Sequence, residues 1–190
     1  NTDEIKAGAQ NHRNHNGKYA GNEINPGAPI DLKAGNVGSR FAPIKNGKDF
    51  IPTHYGGSSL GCAVYETIFH DIKPSAAFKT VSMSSLSSLK YSIVTVGEDL
   101  VVTRLFTPDL KKLKLERKDL IDSPASTYPR TRPWAEAIHA CPAAPAGLIW
   151  TSRQFDEDRA FMLFGTRLEP RTLTVTKSVK IVEDADTLDQ

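Results

Sequence analysis

Residues 91–106 read YSIVTVGEDLVVTRLF, and their pattern decides the fold class. Two runs rich in β-branched and aromatic residues, YSIVTV (91–96) and LVVTRLF (100–106), flank Gly97, Glu98 and Asp99. That arrangement predicts a β-hairpin. Three later segments extend a sheet. GLIWTS (147–152) opens from a glycine, AFMLFG (160–165) is apolar throughout, and LTVTKSVKIV (173–182) alternates at its start and finish. The strands cluster after a first helix rather than alternating with helices one for one. This favours an α+β domain with a mixed or antiparallel sheet and flanking helices over a doubly wound parallel sheet.

That first helix begins near Ser58 in THYGGSSLGCAVYETIFHD (53–71). Leu60, Ala63, Val64, Thr67 and Ile68 recur at helical spacing, and Ser58 or Ser59 can cap the N-terminus. Lys73 before Pro74 places the end near His70. The opposite side carries Cys62, Tyr65 and Phe69, so both faces are apolar, yet Glu66 sits between them. A second helix is predicted over TRPWAEAIHAC (131–141), with Pro133 in its first turn and Trp134, Ala137, Ile138 and Cys141 as its stripe. KKLKLERKDL (111–120) reads as a short helix with a solvated basic face. Residues 1–40 are rich in Asn and Gly and predict irregular structure with at most a short strand or turn. VSMSSLSSL (81–89) predicts a loop or strand edge, and the acidic tail 183–190 is expected to fray.

The 190 residues suit a single domain over 1–190, its core near 13–182. Composition is ordinary for a folded soluble protein, with 39% hydrophobic and 24% charged residues. A formal net charge of +2 is too small to imply a nucleic-acid surface. No apolar run reaches the roughly 18 residues of a membrane span, and no apolar signal segment lies near Asn1. Cys62 and Cys141 fit neither a disulfide framework nor a zinc site and are expected as reduced core thiols of a cytoplasmic protein. The five histidines are scattered singly, so no metal site is expected. Nucleotide-binding, metalloprotease and nucleophile-elbow signatures are absent.

What remains is polar residues in apolar surroundings: Arg40 in GSRFAPI (38–44), Tyr55 before the first helix, Glu66 within it, and Ser152 at a strand end. Each has an ordinary structural explanation. Glu66 can reach solvent or pair with a core arginine, and Ser152 can close a turn. Arg40 can make a surface salt bridge, and Tyr55 can be a core aromatic with a wet hydroxyl. Taken in order, they resemble the signature of the RES domain family, named for its Arg, Glu and Ser. GSRFAPI, Tyr55 followed by AVYETIFHD (63–71), and GLIWTSR (147–153) followed by AFMLFGTR (160–167) carry the match. NHR (11–13) resembles the family's short opening and adds Arg13. Two departures stand out: an insertion around KNGKD (45–49), and Gly56 and Gly57 where members often carry Ala, read here as only loosening helix entry.

The resemblance implies a fold similar to the ADP-ribosyltransferases and the toxin half of a bacterial toxin–antitoxin pair. It implies cleavage of the nicotinamide–ribose bond of NAD by hydrolysis or phosphorolysis, with NAD as substrate and no resident cofactor. The alternatives are transfer of ADP-ribose to a protein, or a non-enzymatic module that binds NAD or ADP-ribose. Under this implication Glu66 stabilises positive charge developing on the ribose. Arg40, with Arg13 as a second, grips the pyrophosphate. Tyr55 stacks on or hydrogen-bonds the nucleotide, and Ser152 binds a ribose hydroxyl or phosphate without acting as a nucleophile. The implied partner is an Xre-like helix-turn-helix antitoxin, in a complex where a homodimer is one arrangement. Neither nucleic acid nor membrane is implied as a direct partner.

Overall fold

The computed structural model describes residues 1–33, 38–70 and 80–188. Along the chain run strands β1 (Thr2–Ile5), β2 (Gln10–Asn16), β3 (Ile44–Asn46), β4 (Asp49–Ile51) and β5 (Thr53–Gly57), then helix α1 (Leu60–Thr67). Helix α2 (Met83–Leu86), strands β6 (Leu89–Val96) and β7 (Leu100–Arg104), and helices α3 (Thr107–Lys112), α4 (Arg117–Leu120) and α5 (Tyr128–His139) follow. Strands β8 (Gly147–Thr151), β9 (Arg159–Phe164) and β10 (Leu173–Lys180) and helix α6 (Ala185–Leu188) complete the chain. Eight strands form one sheet in the order β1-β7-β8-β9-β5-β2-β6-β10. Only β7 and β8 run parallel; the other neighbours are antiparallel. The α+β expectation therefore holds.

The expected hairpin does not form. β6 pairs with β2 and β10, whereas β7 pairs with β1 and β8. The sheet curls, and one apolar cluster unites Val94 and Val96 of β6 with Leu100 and Val102 of β7. The two strands thus pack face to face rather than edge to edge, and residues 97–99 carry the chain across. Asp99 fixes that crossing by accepting from the Ala7 amide at 2.8 Å and from Lys6 Nζ at 2.9 Å. Local alternation predicts strands but not partners, because either partner set satisfies the period-two pattern.

The N-terminal segment is also more ordered than its composition predicts. β1 and β2 are both members of the main sheet, and β2 supplies seven residue pairs to β6. Polar residues populate β2 because several are buried and hydrogen-bonded: Asn11 and His15 are 0% and 7% exposed. VSMSSLSSL contains helix α2, whose turn is closed by serine hydroxyls donating to carbonyls three residues back, as Ser85 does to Ser82 at 2.6 Å. The tail does not fray at once. Asp184 accepts from Lys177 Nζ at 2.8 Å and from the Thr187 hydroxyl, anchoring α6. The 111–120 segment divides between α3 and α4.

α5 starts earlier than predicted, at Tyr128, which puts Pro129 in its first turn and leaves Pro133 inside. Its buried line is Tyr128, Thr131 and Ala135, with Trp134 and Ile138 partly buried against the core. Ala137 is exposed. Cys141 lies past the helix end and is exposed, so only Cys62 is a core thiol. The main core lies between one sheet face and helices α1, α3, α4 and α5. It holds Phe41, Leu110, Ile121, Leu148, Trp150, Met162 and Phe164. Phe41 meets Trp150 edge to face at 5.1 Å, a geometry worth about 1 kcal/mol beyond burial.

Candidate active site

A cleft of about 820 Å³ opens among β2, the loop 23–28, the segment 38–40, β5, α1 and Tyr128. Its size suits a small-molecule or cofactor-sized ligand. Arg13, Arg40, Tyr55 and Glu66 all line it. Ser152 does not. It is fully buried one layer behind, against Glu66. The five residues singled out in the sequence therefore gather around one cavity, four on its wall and one supporting it.

α1 delivers Glu66. Ser59 is the N-cap, accepting from the Cys62 amide at 3.1 Å. Ser58 and Ser59 in turn both donate to Asp158, which ties the start of the helix to the turn before β9. The helix ends at Thr67, slightly short of His70, and Lys73 and Pro74 lie outside the described residues. Its predicted apolar stripe splits in two. Leu60 and Ile68 pack toward Leu86, Tyr91 and Ile181. Ala63, Glu66, Thr67 and His70 share the cleft wall, a helical repeat of their own.

Glu66 makes two defined contacts. The Ser152 hydroxyl donates to Oε1 at 2.7 Å and the Arg153 amide donates to the same oxygen at 3.2 Å. Among the described residues nothing donates to Oε2, so that oxygen remains for a ligand. Glu66 and Arg40 form no ion pair with each other.

Arg40 is 4% exposed. Its Nη2 reaches the Ser123 carbonyl only at 3.5 Å, its Nε is buried without a hydrogen-bond partner, and its guanidinium lies 5.5 Å from the Tyr128 ring centre. No carboxylate pairs with it among the described residues. A buried charge without a counter-ion is costly, by several kcal/mol, and the described residues supply none for this arginine.

The backbone around Arg40 is clasped from two sides. The Tyr55 hydroxyl lies 2.8 Å from Ser39 Oγ and accepts from the Phe41 amide at 3.3 Å. These are the residues on either side of Arg40. From α5, the Thr131 hydroxyl donates to the Arg40 carbonyl, and Arg132 Nε donates to the carbonyls of Ser39 and Ala42 at 3.2 and 3.0 Å. Burial pushes the Tyr55 phenol up to about 12, so it stays protonated. Its ring stands edge-on to Trp150 at 6.3 Å.

Arg13 reaches the cleft from β2. Nη1 donates to the carbonyls of Gly21 and Glu23 at 2.9 and 2.7 Å and also lies 2.9 Å from His54 Nδ1, so its two hydrogens are shared among three acceptors. Burial draws the guanidinium down to about 10, which still leaves it charged at neutral pH. Gly56 proves to be a packing requirement and not a loosened turn. A Cβ there would fall 1.8 Å from Asn11 Oδ1, and one at Gly57 would fall 2.8 Å from Cys62 Sγ.

Several residues of the cleft wall and of the loop behind it carry no sequence signal. Tyr128 carries the ring beside Arg40, and Ser39, Thr131 and Arg132 shape its loop. His12 and Asn14 come from a segment whose composition predicts at most a short strand or turn. Only an alternation count over 10–16 that admitted buried polar residues would have placed them.

The RES domain family model matches residues 12–183. No curated protein matches the chain in sequence. Among solved structures, a chain of the crystal structure of the M. tuberculosis MbcT–MbcA toxin–antitoxin complex superposes with a TM-score of 0.62 at 17% identity, covering 93% of this chain and 85% of that one. At that identity the likeness is one of fold. The family match spans most of the sequence, including all five residues of the site, and the chain belongs to the RES domain family.

Proposed function

We propose that this protein is the toxin of a bacterial toxin–antitoxin pair and that it consumes NAD by cleaving the nicotinamide–ribose bond. Family membership and the fold shared with a chain of a toxin–antitoxin complex support the first part. The second rests on one observation above others: Arg40 is a buried guanidinium with no counter-ion among the described residues, in the same cleft as a carboxylate with one oxygen open among those residues. A dinucleotide offers both complements at once, a pyrophosphate for the arginine and a ribose for the carboxylate.

In this reaction Arg40 and Arg13 bind the pyrophosphate and place the nicotinamide ribose against Glu66. The C1′–N bond breaks with its electron pair leaving on nicotinamide, which departs neutral and needs no general acid. Glu66 Oε2 accepts from a ribose hydroxyl and stabilises the oxocarbenium-like sugar. Water or phosphate then forms the new C1′–O bond and its proton passes to solvent. Ser152 acts on Glu66 rather than on the substrate, holding Oε1 so that Oε2 faces the ribose. Tyr55 holds Ser39 and Phe41, and with them Arg40. An Xre-like helix-turn-helix antitoxin is the proposed partner. Incubating the purified protein with NAD and following nicotinamide release tests the activity. Tight NAD binding without product would instead favour a binding module.

A further inference from the structure

The cleft lies along a seam in the sheet. β2 and β5 are neighbours, yet only His12 and Gly57 face each other in register. β5 makes five such pairs with β9 on its other side. Where the backbone ladder is missing, side chains bridge the gap. His54, on β5 and 0% exposed, meets Arg13 of β2 through Nδ1 at 2.9 Å and the Asn11 amide through Nε2 at 2.7 Å.

The direction of these hydrogen bonds follows from chemistry. A guanidinium only donates, so His54 Nδ1 accepts and its ring proton sits on Nε2. Asn11 must then present its amide oxygen to Nε2, an orientation that also gives that oxygen the partner it otherwise lacks. Burial and the positive charge of Arg13 press imidazole protonation down to about 3, so the ring remains an acceptor at neutral pH. All of the hydrogen bonds Arg13 makes to the described residues leave from Nη1. Nε and Nη2 remain for a ligand.

We propose that His54 is the positioning residue for Arg13: its imidazole, accepting at Nδ1, holds the guanidinium across the β2–β5 seam with Nε and Nη2 presented to the phosphates of the nucleotide. This rests on the NAD reading above. His54 touches no substrate and acts only through Arg13. Gly56 belongs to the same device, since it leaves Asn11 the space to reach His54.

The test combines steady-state kinetics on NAD with nitrogen-15 NMR of the histidine rings. His54→Leu removes the acceptor and should raise KM about tenfold with kcat within about twofold, the loss of one charge-assisted hydrogen bond. His54→Asn, whose amide oxygen can stand where Nδ1 stands, should recover most of that loss. In an Arg13→Ala background His54→Leu should add nothing further. A folded His54→Leu protein with wild-type KM, or one whose full effect persists without Arg13, overturns the proposal. Should His54→Leu fail to fold, the Asn variant and NMR decide it. The proposal requires the wild-type His54 ring to be neutral with its proton on Nε2, and a proton on Nδ1 contradicts it. If the wild type does not turn over NAD, the functional reading fails, and the NMR result still judges the His54–Arg13 bond.

Discussion

The Ser152 hydroxyl donates to Glu66 Oε1 at 2.7 Å, joining a strand end to a helix 86 residues earlier in the chain. Ser152 is fully buried and Glu66 lines the cleft. The pair therefore converts a rigid sheet position into the aim of a carboxylate. Ser152→Ala leaves only the Arg153 amide on Glu66. Turnover of NAD should fall about 10- to 100-fold, the size of a lost hydrogen bond to a charged group. Stability should fall by only about 1 kcal/mol. Initial rates beside a denaturant melt measure both, and unchanged turnover would remove Ser152 from any role in the reaction.

Tyr55→Phe keeps the ring against Trp150 and removes the hydroxyl that clasps Ser39 and Phe41. It should cost about 1–2 kcal/mol of stability. It should also raise KM more than it lowers kcat, because the loop carrying Arg40 loosens while Glu66 is untouched. A fall in kcat alone would place the Tyr55 hydroxyl at the reacting atoms instead.

Arg40→Met tests the idea of an uncompensated charge. Replacing a buried guanidinium that no described carboxylate pairs by an apolar chain of similar length should leave the ligand-free protein as stable as before or stabilise it by about 1 kcal/mol. The rise in melting temperature that NAD gives the wild type should disappear. A strongly destabilised Arg40→Met protein would show that Arg40 is a structural residue.

His54 also sets an acid limit. Its folded-state protonation lies at about 3 and its ordinary value near 6.5. Above pH 6.5 neither state binds the proton. As pH falls from 6.5 toward 3 the unfolded chain takes it up and the folded one does not, so stability declines over that window, by an amount on the order of 3–5 kcal/mol at its lower end. The charged and titratable neighbours acting on His54 are Arg13 and His15. Burial lowers His12 and His15 as well, in the same direction. Urea melts between pH 4 and 7.5 measure this. His54→Asn should flatten the slope, and an unchanged slope would contradict the assignment.

Much of this was legible from residue order. Most segments read as strands formed strands, and both main helices form, the second shifted about three residues toward the N-terminus with Ala137 and Cys141 of its predicted stripe exposed. The chemistry residues gathered because Arg40, Tyr55, Glu66 and Ser152 occupy family spacing. What escaped was set by partners distant in sequence. The turn at 97–99 looks like a hairpin locally, but β6 and β7 gain more by pairing with β2, β10, β1 and β8 in a curled sheet. β2 hid because Asn11, Arg13 and His15 there meet His54, Ser92 and backbone carbonyls, partners that no local pattern displays. The Ser152 hydroxyl likewise meets Glu66, a partner 86 residues away that its strand-end position does not display.

In the proposed reaction Glu66 acts on the ribose of NAD. The most direct measurement is nicotinamide release from NAD by the wild type and by Glu66→Ala, each shown to be folded by its thermal melt. The wild type should release nicotinamide with accompanying loss of NAD, and folded Glu66→Ala should fall by at least about 100-fold, as expected when transition-state charge stabilisation is removed. Full turnover by a folded Glu66→Ala protein would contradict the account.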